Sequence, residues 1–193
     1  MNLTLYSIKA LIVADSASGS RVLAKYYAPP PGTHVGPSAV ADMTTLKEQK
    51  AFERRLWDKT RKALQSEIIL FDNHVVVYKV AADCVFYVVG SLEENEVMLL
   101  SALTTVIESL NLVLLKYQST DKRTLLDHFD LVALALDECI DQGVMLETDP
   151  GLIASRVSKR ASEMADISLG DPQSISNALS KAKESFFAGV LLQ

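Results

Sequence analysis

The side chains most able to do chemistry are few and scattered. His34, His74 and His128 are the only histidines, and Cys84 and Cys139 the only cysteines. No histidine has a second His, a Cys or a carboxylate at the spacing of an HExxH helix or a comparable metal site. Gly32-Thr33-His34-Val35-Gly36 has the outline of a nucleophile elbow, but histidine stands where serine belongs. The run Ser16 to Arg21 lacks the GxxxxGK-Ser/Thr of a phosphate-cradling loop, and its composition is that of a hairpin turn. Cys84 and Cys139 lie in apolar surroundings with no histidine nearby in sequence, so they read as small buried hydrophobes. Asp130, Asp137 and Asp141 share one side of a helical stretch, with Glu138 beside them. A bundle-type two-metal site would need Glu-x-x-His pairs on other helices, which are missing, so this is a solvated or partner-facing acidic surface. No catalytic, metal-binding or cofactor-binding residue emerges, and the chain reads as a non-enzyme.

The strongest local charge lies elsewhere. Between Leu46 and Leu64, seven basic residues (Lys47, Lys50, Arg54, Arg55, Lys59, Arg61, Lys62) stand against Glu48, Glu53 and Asp58. A solvated helix face with i,i+4 pairs such as Asp58 with Lys62 accounts for this; a surface for anionic lipid or an acidic partner is the sharper reading. The whole chain carries 19 Lys+Arg against 24 Asp+Glu, a net charge of −5, which argues against general nucleic-acid binding.

The elements that must position these groups follow from periodicity. With 193 residues, 49% apolar and 22% charged, the chain has enough core for one domain with an appendage and needs no disulfide or metal to fold. No signal peptide is expected, and the apolar run Val97 to Leu115 is broken by Glu108 and several polar residues, unlike a membrane span. Leu5 to Val13 and Arg21 to Tyr27 form a hairpin, with Ile8, Ala10 and Ile12 on one face. Residues 28–45 hold four prolines and read as a mobile insertion. A helix over Leu46 to Leu64, capped by Thr44 or Thr45, precedes strands at Glu67 to Phe71, His74 to Val80 and Cys84 to Val89. Such short connections imply antiparallel pairing.

Helix Glu96 to Lys116 is apolar over an unusually wide arc. Leu100, Leu103, Ile107, Leu110 and Leu114 form a stripe expected to face the core. Met98, Ala102, Val106 and Val113 form a second, expected to meet another helix or a partner. A helix from Phe129 to Gln142 ends at Gly143, Asp149-Pro150 starts another, and a serine-rich tail closes on an amphipathic stretch with Ile175, Leu179, Ala182, Phe186 and Val190 in register.

This order of elements resembles the longin fold: an α/β (α+β) domain whose five-stranded antiparallel sheet is packed between one helix and a helix pair, here with a C-terminal helical tail. Tyr6 to Ile12 and Arg21 to Tyr27 are similar to the opening hairpin of the coatomer zeta group of adaptor-complex small chains (the sigma/zeta family). Phe86-Tyr87-Val88-Val89-Gly90-Ser91 with Glu93 to Glu96 resembles that group's junction of last strand and long helix. Asp130 to Glu138 with Gly143 to Pro150 is the most specific match.

The resemblance covers 1–27 and 46–193; the loop at 28–45 and the turn at Asp15 to Ser20 depart from it. It implies a longin-like domain over 1–150 and a helical extension over 151–193. It further implies a non-catalytic subunit of the COPI vesicle coat without cofactors, acting between Golgi cisternae and back to the endoplasmic reticulum. Its expected partners are the helical solenoid of the coatomer gamma subunit and the other coatomer subunits, with recruitment through an Arf-family GTPase. The chain would then be cytoplasmic, peripheral on Golgi membranes and COPI-coated vesicles through the complex, and would bind no nucleic acid. Met98, Ala102, Val106, Asp137 and Asp141 are the candidate partner interface. A sigma-type small chain of a clathrin adaptor, or another longin-domain trafficking subunit, is the alternative; a longin-bearing fusion protein would need a C-terminal anchor, for which Lys181 to Gln193 reads as too short and polar.

Overall fold

A computed structural model describes residues 7–28, 43–62, 67–117 and 119–166. Most of the expected insertion and the amphipathic stretch of the tail lie outside them. Five strands, β1 (Ile8–Asp15), β2 (Arg21–Tyr26), β3 (Glu67–Phe71), β4 (His74–Ala81) and β5 (Cys84–Ser91), form one antiparallel sheet in the order β2-β1-β5-β4-β3. The inner strands β1, β4 and β5 are nearly continuous apolar runs because both of their faces are covered.

The turns explain the pairing. Asp72 and Asn73 both have positive φ (47° and 59°), the backbone that a two-residue hairpin between right-twisted strands requires. Asp15 shapes the β1–β2 turn by accepting from the backbone N–H groups of Ala17 (3.0 Å) and Ser18 (2.7 Å).

Helix α1 (Leu46–Thr60) carries the chain from one sheet edge to the other across one face. It opens with a capping box: Thr45 Oγ1 accepts from Glu48 N–H, and the Glu48 carboxylate accepts from Thr45 N–H. Phe52 and Leu56 bury against Ala10, Ile12, Val76, Tyr78, Val85, Tyr87 and Val89. The helix ends at Thr60, short of the expected Leu64, and Thr60 Oγ1 lies 2.9 Å from the Tyr87 hydroxyl.

The other face carries α2 (Glu96–Val113), a six-residue α3 (Lys122–Asp127) that periodicity does not reveal, α4 (Phe129–Cys139) and α5 (Pro150–Asp166). The expected helix pair is α2 with α4, and α5 packs against both. Ile153 and Val157 of α5 belong to the same buried cluster as Leu103, Val106 and Leu136, so the first turns beyond residue 150 share the domain's core.

Two local expectations change. Ile8 lies in the α2-side cluster with Leu11 and Val13, not with Ala10 and Ile12, because the β1–β5 register shifts between Ile8 and Ala10 and the bulge turns Ile8 over. Helix α4 stops at Cys139, and Gly143 is the second turn residue of a small hairpin, β6 (Ile140–Asp141) with β7 (Val144–Met145), rather than a helix terminator. Gly143 has φ +81°, and its carbonyl accepts from Ile8 N–H at 3.1 Å. A Cβ there would fall 2.4 Å from Ile8 O.

Candidate partner interface

Among the described residues no group of His, Cys, Asp and Glu is arranged to hold a metal ion. His74 is buried, its Nδ1 2.6 Å from Asp72 O, with its ring edge-on to Phe52. His128 stacks on Tyr117 with centroids 3.5 Å apart; His34 lies outside the described residues. Burial, reinforced by Asp83, pushes the Cys84 thiol up to about 12. Burial likewise pushes the Cys139 thiol up to about 11, against a lowering bond to Ser109. Both thiols are protonated at neutral pH and are poor nucleophiles. His74 and His128 pack against aromatic rings, and the cysteines are core.

Helix α2 is long and apolar enough, by length and composition, to cross a membrane, yet its apolar side is packed into the core. Asn95 caps it, accepting from Val97 N–H at 2.9 Å. Of the stripe expected to meet a second helix or a partner, Ala102 and Val106 are 1% and 0% exposed, inside the chain's own core. What covers that side is visible from its polar neighbours. Thr105 Oγ1 donates to Thr148 O just before α5, and Cys139 Sγ of α4 donates to Ser109 Oγ. Met98, half-buried, accepts from Ser7 Oγ through its sulfur at 3.7 Å. The second stripe is thus closed by α4 and α5, with Ala102 and Val106 buried in the chain's own core.

The first stripe shifts too. Leu100, expected to face the core, is 38% exposed, because helix rotation carries it past the sheet contact made by Leu99 and Leu103. Val97 is exposed beside it. On edge strand β3, Ile69 and Phe71 pack towards α1, which leaves Ile68 and Leu70 exposed on the α2 side. Sequence reasoning missed this surface. Its signal is a strand apolar on both faces that sits at a sheet edge.

Asp137 and Asp141 are both exposed. Asp137 pairs with Lys25 of β2, which ties α4 to the sheet edge. Beneath them the Tyr27 hydroxyl is buried and has no hydrogen-bond partner among the described residues. Burial first, then the charges of Asp137 and Asp141, push this phenol up. Leu146, whose N–H donates to Cys139 O, is exposed beside this acidic pair.

A second polar cluster was not foreseen. Arg21 grips Glu53 with two bonds (Nε to Oε2 at 2.9 Å, Nη2 to Oε1 at 2.6 Å), and the Tyr26 hydroxyl donates to Glu53 Oε1 at 2.8 Å. Glu53 is buried, so this network fastens α1 to edge strand β2. The local sequence offers no signal for a pair 32 residues apart.

A five-stranded antiparallel sheet with one helix on one face and a helical layer on the other is the fold that carries these groups. Residues 7–164 match the model of the clathrin adaptor complex small chain family, and the chain belongs to that family. Within it the chain is similar to the coatomer subunit zeta of Saccharomyces cerevisiae, 39% identical over 96% of this chain and 95% of that one. It is also similar to coatomer subunit zeta-1 of Homo sapiens (40% identical; 94% and 91% covered) and to zeta-2 of the same species (42%; 94% and 77%). A chain from a homology model of the full-length AP-3 complex in a stretched open conformation shares the fold. Its TM-score is 0.59, at 17% identity, over 82% of this chain and 97% of that one.

Proposed function

We propose that this chain is the zeta-type small subunit of a COPI vesicle coat, a non-catalytic piece held by the helical solenoid of the gamma subunit. The observation that carries the reading is near full-length similarity to coatomer zeta subunits of yeast and human. The complex would be recruited by an Arf-family GTPase and would serve intra-Golgi and Golgi-to-endoplasmic-reticulum transport. The chain would then be cytoplasmic and peripheral on Golgi membranes. The binding unit we propose is the 1–150 domain with the first turns of the 151–193 extension, since Ile153 and Val157 lie in its core.

With Ala102 and Val106 buried, the gamma contact is assigned first to the surface of Asp137, Asp141 and Leu146. That surface pairs two carboxylates with an exposed apolar side chain, and Met98 lies at the margin of the helical layer. The test is affinity purification of the tagged chain from cell extract, with mass spectrometry of its partners. Recovery of gamma and other coatomer subunits, reduced at least tenfold by Asp137→Lys with Asp141→Lys, supports the assignment. Recovery of clathrin-adaptor large chains instead would make this a sigma-type chain, and recovery of neither would overturn the reading.

A further inference from the structure

We propose that the outward face of α1 is an electrostatic contact for an anionic phospholipid surface. At 3.6 residues per turn, Lys47, Lys50, Arg54 and Arg61 fall within about 60° of the helix circumference, on the side away from buried Phe52, Leu56 and Thr60. Lys62 flanks them, Lys59 lies about 120° further round from Lys47, and all six side chains are exposed. From Lys47 to Lys62 the row runs about 22 Å.

The acids of this helix are already engaged. Glu48 closes the capping box, Glu53 is buried with Arg21, and Asp58 pairs with Arg61. Arg55 is held by Asp72. Lys47, Lys50, Arg54, Lys59 and Lys62 have no ion pair among the described residues.

The rest of the molecule supplies a direction. Residues 92–161, which form the helical layer on the opposite face of the sheet, hold 12 acidic against six basic residues. The domain is therefore a dipole whose positive side is α1, and a negatively charged plane would attract that side and repel the other. A protein partner fits this face less well. Lysine is depleted at protein–protein interfaces, whose centres hold aromatic and aliphatic anchors. Here the only large exposed apolar side chain of the helix is Leu46 at its first residue, and Trp57 is half-buried against Gly19 of the β1–β2 turn. Lipid headgroups ask for positive charge spread over an area and no pocket, which is what α1 presents.

The proposal takes its cellular setting from the vesicle-coat reading, but its experiment uses no coat partner, so the two can fail separately. The full-length chain is mixed with vesicles of phosphatidylcholine alone or with 30% phosphatidylserine, and binding is read by sedimentation. Trp57 is the only tryptophan and lies on α1, so energy transfer from it to a dansyl-labelled lipid reports whether this helix is the part that approaches. The expected result is binding to the phosphatidylserine vesicles only, with transfer from Trp57 and loss on raising salt from 0.1 to 1 M.

Each surface lysine or arginine near such a membrane contributes about fivefold in partition, so Lys47→Glu with Lys50→Glu and Arg54→Glu should lower binding by a hundredfold or more. A circular-dichroism melt matching the parent chain shows that this variant is folded. Binding of the triple variant equal to that of the parent overturns the proposal and assigns the contact elsewhere, as with Lys181 and Lys183 of the tail. Equal binding to neutral vesicles, binding without Trp57 transfer, or capture by an acidic polypeptide but not by vesicles overturns it as well.

Discussion

Replacing Ala102 by aspartate puts a carboxyl group at a position 1% exposed, between the sheet and the α4–α5 layer. Three costs follow. Keeping the introduced group protonated at pH 7, against an ordinary value near 3.9, costs about 4 kcal/mol at 1.36 kcal/mol per unit. Aspartate in place of alanine inside a helix costs roughly 0.6 kcal/mol. The extra atoms overpack a filled core at about 1–3 kcal/mol. Together they reach about 6 kcal/mol, comparable with the whole stability of a domain whose likes span roughly 5–15 kcal/mol. Ala102→Asp should therefore unfold the chain or leave it marginal in urea melts followed by circular dichroism.

The pH dependence fixes the cause. Burial raises the folded-state value of the introduced acid, so the folded form holds a proton that the unfolded form releases as pH rises. The destabilisation should grow by up to about 4 kcal/mol from pH 4 to pH 7. Leu100→Asp is the comparison: 38% exposed, it should cost about 1 kcal/mol with little dependence on pH. If Ala102→Asp costs under 1 kcal/mol, or its cost does not change with pH, Ala102 is not enclosed as described and the second stripe of α2 is open to a partner.

Glu53→Gln removes the charge from the Arg21–Tyr26 network while keeping its shape, and should cost about 2 kcal/mol in the same melts without loss of fold. For Asp15 the sign runs the other way. Its bond to Lys122 (2.8 Å), then the Ser18 N–H, hold the folded carboxyl far below its ordinary 3.8, so its contribution is complete above that value and is lost as pH falls below it. Asp15→Asn should flatten the fall in melting temperature between pH 5 and pH 2. Gly143→Ala meets both a left-handed φ and the Ile8 carbonyl, and should lower stability by more than about 2 kcal/mol, as read from the urea midpoint.

What could be read without coordinates is what short-range physics controls. A threonine cap on α1, the Asp72-Asn73 turn, the five strands and helices α1, α2 and α4 follow from residue type and period, because capping, turn and amphipathic preferences act within a few residues. The absence of a recognisable reactive motif and the basic character of α1 are equally properties of the chain as written.

Tertiary structure alone decided which apolar surface is spare. Met98, Ala102 and Val106 on one side of α2, and Leu100 on the other, have the same period and similar hydropathy. Only the positions of α4 and α5 closed the first side, while Leu100 was left 38% exposed. A bulge at the start of β1 turned Ile8 to the face opposite the one simple alternation assigns, since one extra residue reverses every side chain before it. Glu53 reads as one more surface charge until the sheet edge brings Arg21 and Tyr26 to it across 32 and 27 residues. The two-sided charge of the molecule has the same origin: the basic helix and the acidic helices are placed by a sheet that stands between them.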